Sequence, residues 1–265
     1  GGSFKTNFLK EFFRINSGLK AFDSIYTLNE KSKKIIEGIG NKKTIVCGDL
    51  RFDADIPKLT KKASDNIMKF IDHKRCIVFG STWREDEDII LPYINNSKRN
   101  IKYIIAPHEI YNNAERIKKY LGDKSILYSN IRLNTNLKKF SCLVIDNIGM
   151  LSSIYDYSLI SYVGGGMSRK GLHNTLEPAY FSKPIIIGKN YHKFDEAIEM
   201  IKNGNMISVS NYNEFYNTLE SLVDNKNLLI KMSKKCSEYF NKGKGAVKII
   251  LNDLKSKKGS KKLLP

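Results

Sequence analysis

Gly164, Gly165 and Gly166 stand in a row at the end of an apolar stretch, Leu159–Val163. The polar residues that follow are Ser168, Arg169, Lys170, His173, Asn174 and Glu177. Consecutive glycines leave main-chain amides open to an anion. Arg169 and Lys170 could pair with a substrate carboxylate, or simply carry solvated charge at a loop tip. Asn174 and Glu177 are three apart and share one face if a helix begins near His173. Asn174 could cap that helix or steady a phosphate. Glu177, set before Pro178 among apolar residues, is an acceptor suited to two ribose hydroxyls, with a solvated carboxylate as the alternative. The set fits nucleotide-sugar chemistry. It is not a dinucleotide fingerprint, because the spaced G-x-G-x-x-G pattern is missing.

Three further segments could contribute. Gly80, Ser81 and Thr82 end the run Arg75–Phe79 and precede the acidic stretch from Glu85 to Glu87. Gly80 allows a ligand close to the backbone, and the two hydroxyls could donate to phosphate oxygens; equally, they could cap the helix that follows. His108, after Pro107, stands where a strand end meets a crevice, and its imidazole could contact a carboxylate or phosphate or serve a structural purpose. Asp146 or Asn147 suits a helix cap, while Ile148 and Met150 could lie against a base or pack in the core. The segment from Gly188 to Phe194 could roof the same crevice. No H-E-x-x-H, cysteine pair or spaced aspartate cluster points to a bound metal, and no pair of carboxylates stands out as acid and base.

The elements that would hold these residues alternate. Short β-branched runs at Thr44–Val46, Arg75–Phe79, Ile101–Ile105, Ser125–Leu127, Cys142–Ile145, Leu159–Val163, Pro184–Ile187 and Met206–Val209 predict strands covered on both faces. Helical patterns lie between them at Ala63–Ile71, Asp86–Tyr93, Ala114–Leu121, Leu151–Tyr155, Asn174–Phe181 and Phe194–Asn203. The expected fold is α/β, a doubly wound parallel sheet with ligands beyond the carboxyl ends of its strands. After Val209 the pattern is helical: Asn213–Leu222, Leu228–Phe240 and a last helix near Ala246–Leu254.

Composition narrows the class. With 41% hydrophobic residues the chain is a folded protein. Its four cysteines match no ligand spacing and read as buried free thiols in a reducing compartment. The formal charge of +18 fits nucleic acid, anionic lipid or an anionic small substrate and does not choose among them. No stretch approaches the ~20 apolar residues of a membrane span, and no secretory signal opens the chain. Phe4, Phe8, Leu9, Phe12 and Phe13 form an apolar face among basic residues, either for a neighbouring domain or for a membrane surface. Asp23 to Gly40 predicts a strand and helix that close a domain begun elsewhere, and Gly48 to Lys58 a linker between domains. Residues 256–265 read as a basic disordered tail.

Taken together and in order, the segment from Gly48 to Asp53, Gly80-Ser81-Thr82, Pro107-His108, Asp146 to Met150, the three glycines and His173 to Pro178 resemble the second half of the lipid A Kdo transferases, the 3-deoxy-D-manno-octulosonic acid transferases. The resemblance runs from about Phe22 to Leu254. Ala106 to Glu109 together with Asp146 to Gly149 look most like the Bacteroidetes branch; an arginine found between proline and histidine elsewhere in the family is missing, which leaves one cation fewer for the donor phosphate.

That resemblance implies a two-lobed GT-B glycosyltransferase whose C-terminal, Rossmann-like lobe is residues 51–255, with 1–50 a remnant of the acceptor lobe and linker. It implies CMP-Kdo as donor substrate, no separate cofactor, and a lipid A precursor as acceptor. The setting would be peripheral, at the anionic cytoplasmic face of the bacterial inner membrane, with nucleic acid an unlikely partner. Gly80, Ser81, Thr82, His108, Gly164, Gly165, Gly166, Arg169, Asn174 and Glu177 would hold the donor, with Met150 near its base or ribose. The family's catalytic glutamate lies in the first lobe, so no catalytic residue is assigned and the chain alone is expected to be inactive. A sugar-nucleotide epimerase shares the architecture, and a basic nucleotide-, nucleic-acid- or membrane-binding module is the non-enzymatic alternative.

Overall fold

In a computed structural model of the chain the described residues are 18–19, 21–40, 43–169 and 171–261. They divide into two compact units, with breaks after Ala54 and after Phe240. The apolar face from Phe4 to Phe13 lies outside the described residues.

In the first unit, β1 (Ile25–Thr27) and β2 (Thr44–Val46) pair in parallel, Ile25 beside Thr44, joined by helix α1 (Glu30–Gly38). Asn29 caps α1 by accepting the Ser32 amide. The last helix, Ala246–Lys261, belongs to this unit. Asp53 accepts the Gly245 and Val247 amides at 2.8 Å each and so caps its first turn, and Asp253 accepts the hydroxyls of Tyr26 at 2.6 Å and Ser24 at 3.0 Å. The division therefore differs from the expected break at residue 50: residues 51–54 and 241–261 group with the N-terminal segment. The expected disordered tail is helical as far as Lys261.

In the second unit the order is α2 (Lys61–Ile71), β3 (Arg75–Thr82), α3 (Arg84–Asn96), β4 (Ile101–Pro107), α4 (Asn113–Leu121), β5 (Ser125–Leu127), β6 (Cys142–Val144), α5 (Leu151–Ile154), β7 (Ile160–Val163), α6 (Leu176–Tyr180), β8 (Ile185–Gly188), α7 (Asp195–Asn203), β9 (Met206–Val209), α8 (Tyr212–Asp224) and α9 (Lys226–Gly243). Seven strands form one sheet in the order β5-β6-β4-β3-β7-β8-β9, every pair parallel. Every residue of β4, β7 and β8 is buried, the signature of a sheet covered on both faces. On one face the rings of Phe79, Tyr103, Tyr162 and Phe215 pack together, with centroids 6.0–6.3 Å apart in the pairs that touch. All four cysteines are buried free thiols, and burial pushes Cys236 up to about 12.

β3 runs three residues past its predicted end at Phe79. Ser81 takes a left-handed φ of 52° and the pairing with β4 shifts register there, a bulge that re-aims the strand end.

Candidate functional site

The chain lays down β3, builds β4, β6 and β5 on one side of it, then crosses back to put β7 on the other. The connections therefore diverge between β3 and β7, and in a doubly wound sheet that is where a crevice opens beyond the strand ends. Gly80 and Val163 are in register across this gap. The segments singled out in the sequence, Gly80–Thr82 and Gly164–Gly166, are the exits of these two strands.

The glycine loop does cup an anion, but the anion is the protein's own. Asp86, fully buried in the first turn of α3, accepts the Gly165 amide at 2.8 Å and the Met167 amide at 3.3 Å. It also takes the Trp83 amide at 2.9 Å and the Tyr162 hydroxyl at 2.7 Å. Burial lifts its carboxyl above the ordinary range while the donors pull it back. The Gly164 amide is also spent, on the Gly80 carbonyl at 2.8 Å. The expectation that Gly164 and Gly165 hold a ligand through their amides is corrected accordingly. The glycines are required for a different reason: a Cβ on Gly166 would meet the Gly188 nitrogen at 2.8 Å, and one on Gly165, where φ is +90°, would meet the Gly171 carbonyl oxygen at 2.0 Å. Loop and strand backbones touch here, and only glycine permits it.

Thr82 needs the same correction. Its hydroxyl is buried and donates to Glu87 at 3.0 Å, and Glu87 is paired in turn with Arg116 of α4. Burial raises the Glu87 carboxyl; the Arg116 partner opposes the rise. Thr82 thus ties β3 to α3 and α4 and is not available to a phosphate. Ser81 is half-buried at the bulge.

Three rings form one wall. The His108 ring stacks on His173 at 4.1 Å and lies 4.7 Å from Trp83, and the Trp83 indole N–H donates to His173 Nε2 at 2.7 Å. His108 and Trp83 directly follow β4 and β3, and His173 lies in the loop between β7 and α6. The bonds from the His108 amide to the Thr82 carbonyl (2.9 Å) and from the His173 amide to the Gly164 carbonyl (3.1 Å) hold their backbones. Burial and the neighbouring His108 push His173 down to about 4, so it is a neutral ring at physiological pH.

Beyond this wall, Asn174 does both things its position allows: Oδ1 accepts the Leu176 amide at 3.1 Å, starting α6, and Nδ2 donates to Glu177 at 3.3 Å. Glu177 is half-buried, and burial holds its carboxyl above the usual range against the Asn174 bond. Gly80 is tightly packed, since a Cβ there would lie 2.0 Å from the Tyr155 hydroxyl. Met150 is buried and its sulfur lies 3.0 Å from Asn147 Nδ2, so it packs inside while Ile148 is 89% exposed. Arg169 is exposed and Lys170 lies outside the described residues.

Sequence reasoning missed Trp83, Asp86 and Asn190. Asn190 fastens the glycine loop, its amide on the Gly166 carbonyl at 2.8 Å and its Nδ2 on those of Met167 and Ser168 at 3.2 and 2.9 Å. The signal for Trp83 was its rarity, one tryptophan in the chain and that one directly after a strand end. In the sequence the acids after Thr82 are a plain acidic stretch, and only burial separates Asp86 and Glu87 from the exposed Glu85. Among the described residues no cluster of three His, Cys, Asp or Glu could hold a metal, and no helix is long and apolar enough to cross a membrane.

No family model matches the chain. It is similar to the 3-deoxy-D-manno-octulosonic acid transferase of Rickettsia typhi, 31% identical over 227 residues, which is 83% of this chain and 48% of that protein. The chain thus spans about half the length of the curated relatives it matches. Its fold is similar to that of the C-terminal CMP-Kdo binding domain of WaaA from Acinetobacter baumannii, at a TM-score of 0.58 and 18% identity, covering 67% of this chain and 96% of that domain. It is also similar to Staphylococcus aureus MnaA solved with UDP, at a TM-score of 0.58 and 17% identity over 88% of this chain and 60% of that one. The parallel sheet with helices on both faces is the C-terminal, Rossmann-like arrangement of the GT-B glycosyltransferases.

Proposed function

We propose that this chain, a sequence relative of the 3-deoxy-D-manno-octulosonic acid transferases, is the donor-binding portion of a glycosyltransferase that takes CMP-Kdo and passes Kdo to a lipid A precursor. The observation that carries the reading is Glu177: a half-buried carboxylate with Asn174 as its hydrogen-bonding neighbour, at the switch point of the sheet. A carboxylate kept there costs desolvation that a ribose diol would offset with two charge-assisted bonds. The three-ring wall of Trp83, His108 and His173 gives an adjacent surface for the phosphate and sugar. Arg169 supplies positive charge at the loop tip. The donor needs no separate cofactor on this reading. The general base that activates the acceptor hydroxyl would come from a first lobe, and the acceptor lipid places the work at the cytoplasmic face of an inner membrane, to whose anionic surface a chain of charge +18 is attracted.

Calorimetry with CMP, UMP and cytidine tests the donor assignment. CMP should bind more tightly than either. Affinity for UMP equal to that for CMP would sink the cytidine assignment and favour a uridine nucleotide.

A further inference from the structure

Trp83 bridges to a histidine 90 positions away, and the direction of that bond fixes more than position. An indole nitrogen can only donate. His173 Nε2, 2.7 Å away, must therefore be the unprotonated acceptor, and the proton of the neutral ring sits on Nδ1. We propose that Trp83 is a positioning residue that locks His173 in this Nδ1–H tautomer, so that His173 offers the anionic part of the nucleotide a hydrogen-bond donor that does not turn into a cation. The proposal rests on the donor-site reading above.

The packing supports the lock from three sides. The Cβ site of Gly165 is 3.1 Å from His173 Cδ2. The Nε2–Cδ2 side of the ring is thus set between the indole and the glycine loop, and the edge bearing Nδ1 is the other one. His108 covers a face at 4.1 Å, and two stacked imidazoles resist a second positive charge. Of the titratable groups, His108 after β4 stacks on the ring, and Asp86 of α3 holds the amide of Gly165, whose Cβ site meets the ring edge. His108 is the one that acts on His173 directly, and with burial it disfavours the imidazolium. The monoester phosphate of CMP changes charge near neutral pH by itself, whereas the diester of a sugar donor does not; a neutral partner adds no titration of its own to either contact.

Because Trp83 is the single tryptophan, growth on 3-benzothienyl-alanine replaces its N–H with sulfur and leaves the ring shape. Nitrogen NMR of the four imidazoles, assigned by histidine substitution, reads tautomer and protonation without any ligand. In the parent, His173 should show a protonated Nδ1 and no titration above about pH 5. With the sulfur analogue, and with Trp83→Phe, the tautomers should mix and the midpoint should rise from about 4, since the bond that favours an unprotonated Nε2 is gone, while staying below the ordinary ~6.5 because burial and His108 remain. Calorimetry then reads the ligand half. CMP affinity should fall about tenfold on loss of the N–H near pH 8, cytidine affinity should change less, and the CMP deficit should shrink as pH falls toward the raised midpoint and the freed imidazole becomes a cation. An Nε2–H tautomer in the parent, or a His173 titration unchanged by the analogue, overturns the lock. A lock that forms while CMP affinity ignores its loss overturns the ligand role. Should the parent bind no CMP, the donor reading and the ligand role fall together, while the NMR still decides the lock.

Discussion

The Asp86 carboxylate and the Gly165 amide meet at 2.8 Å across 79 positions of sequence, and this bond is what turns two strand exits into one site. Asp86 belongs to the helix after β3, and Gly165 to the loop after β7. With the Met167 and Trp83 amides and the Tyr162 hydroxyl on the same carboxylate, the loop is held before any ligand arrives. Asp86→Asn should therefore be costly. The carboxamide has one acceptor oxygen where four donors converge, and its own N–H groups face amides. A loss of roughly 2–4 kcal/mol is expected, measured as a shift in the urea midpoint. Unchanged stability would mean that the loop holds itself.

Thr82 separates a structural hydroxyl from a ligand-binding one. Its donation to buried Glu87 predicts that Thr82→Val destabilises the fold by about 1–3 kcal/mol, because the Glu87 carboxylate loses a partner. CMP affinity of the folded variant should stay within about twofold of the parent. Thr82→Ser, which keeps the hydroxyl, should recover most of the stability. A variant with full stability and lost CMP binding would return Thr82 to the phosphate.

The alternation of β-branched runs with amphipathic helices marked the sheet because strands covered on both faces have no polar side to break the pattern. The sequence positions of Gly80–Thr82, Gly164–Gly166, Asn174 and Glu177 were legible for the same reason: the first set ends β3, the second directly follows β7, and Asn174 and Glu177 open the next helix, all on the side where a doubly wound sheet puts its ligands. Which hydroxyls and amides face inward was not legible. Asp86 and Thr82 make their bonds to residues brought in by topology, and no local spacing announces them. The chain's division after Ala54 was hidden likewise, since Asp53 finds the last helix only once the two ends of the chain have come together.

Gly80 is fixed by a neighbour's ring. A Cβ there would lie 2.0 Å from the Tyr155 hydroxyl and 2.7 Å from the ring carbon that carries it. Gly80→Ala should cost about 1–3 kcal/mol through overpacking. Tyr155→Phe in the same chain should restore part of that, since the oxygen goes but the ring stays. A double-mutant cycle of urea midpoints reads the coupling. Additive effects would show that the strand exit moves instead of colliding.

His173 gives the fold a pH dependence of defined sign. Its folded value is about 4, and an unfolded histidine titrates near ~6.5. Between these values the unfolded chain binds more protons than the folded one, so this contribution is complete above ~6.5 and is lost as pH falls toward about 4. His173→Asn should flatten that part of the stability curve, read from urea midpoints at several pH values in that window. A variant curve parallel to the parent's would place the acid sensitivity elsewhere.

Glu177 is the residue on which the donor assignment can be put to its sharpest test. Glu177→Gln keeps the shape and the Asn174 contact but removes the charge. The carboxylate's burial is a cost to the free protein, since its carboxyl is held above the ordinary range, so the variant should be at least as stable as the parent. CMP binding should nonetheless weaken by about 1–3 kcal/mol. Comparing CMP with its 2′-deoxy analogue separates the causes: removing the hydroxyl should cost the parent substantially and the variant little, because the bond it would lose is already weak. If both lose the same increment, the ribose hydroxyls are held by another group and Glu177 is a structural partner of Asn174.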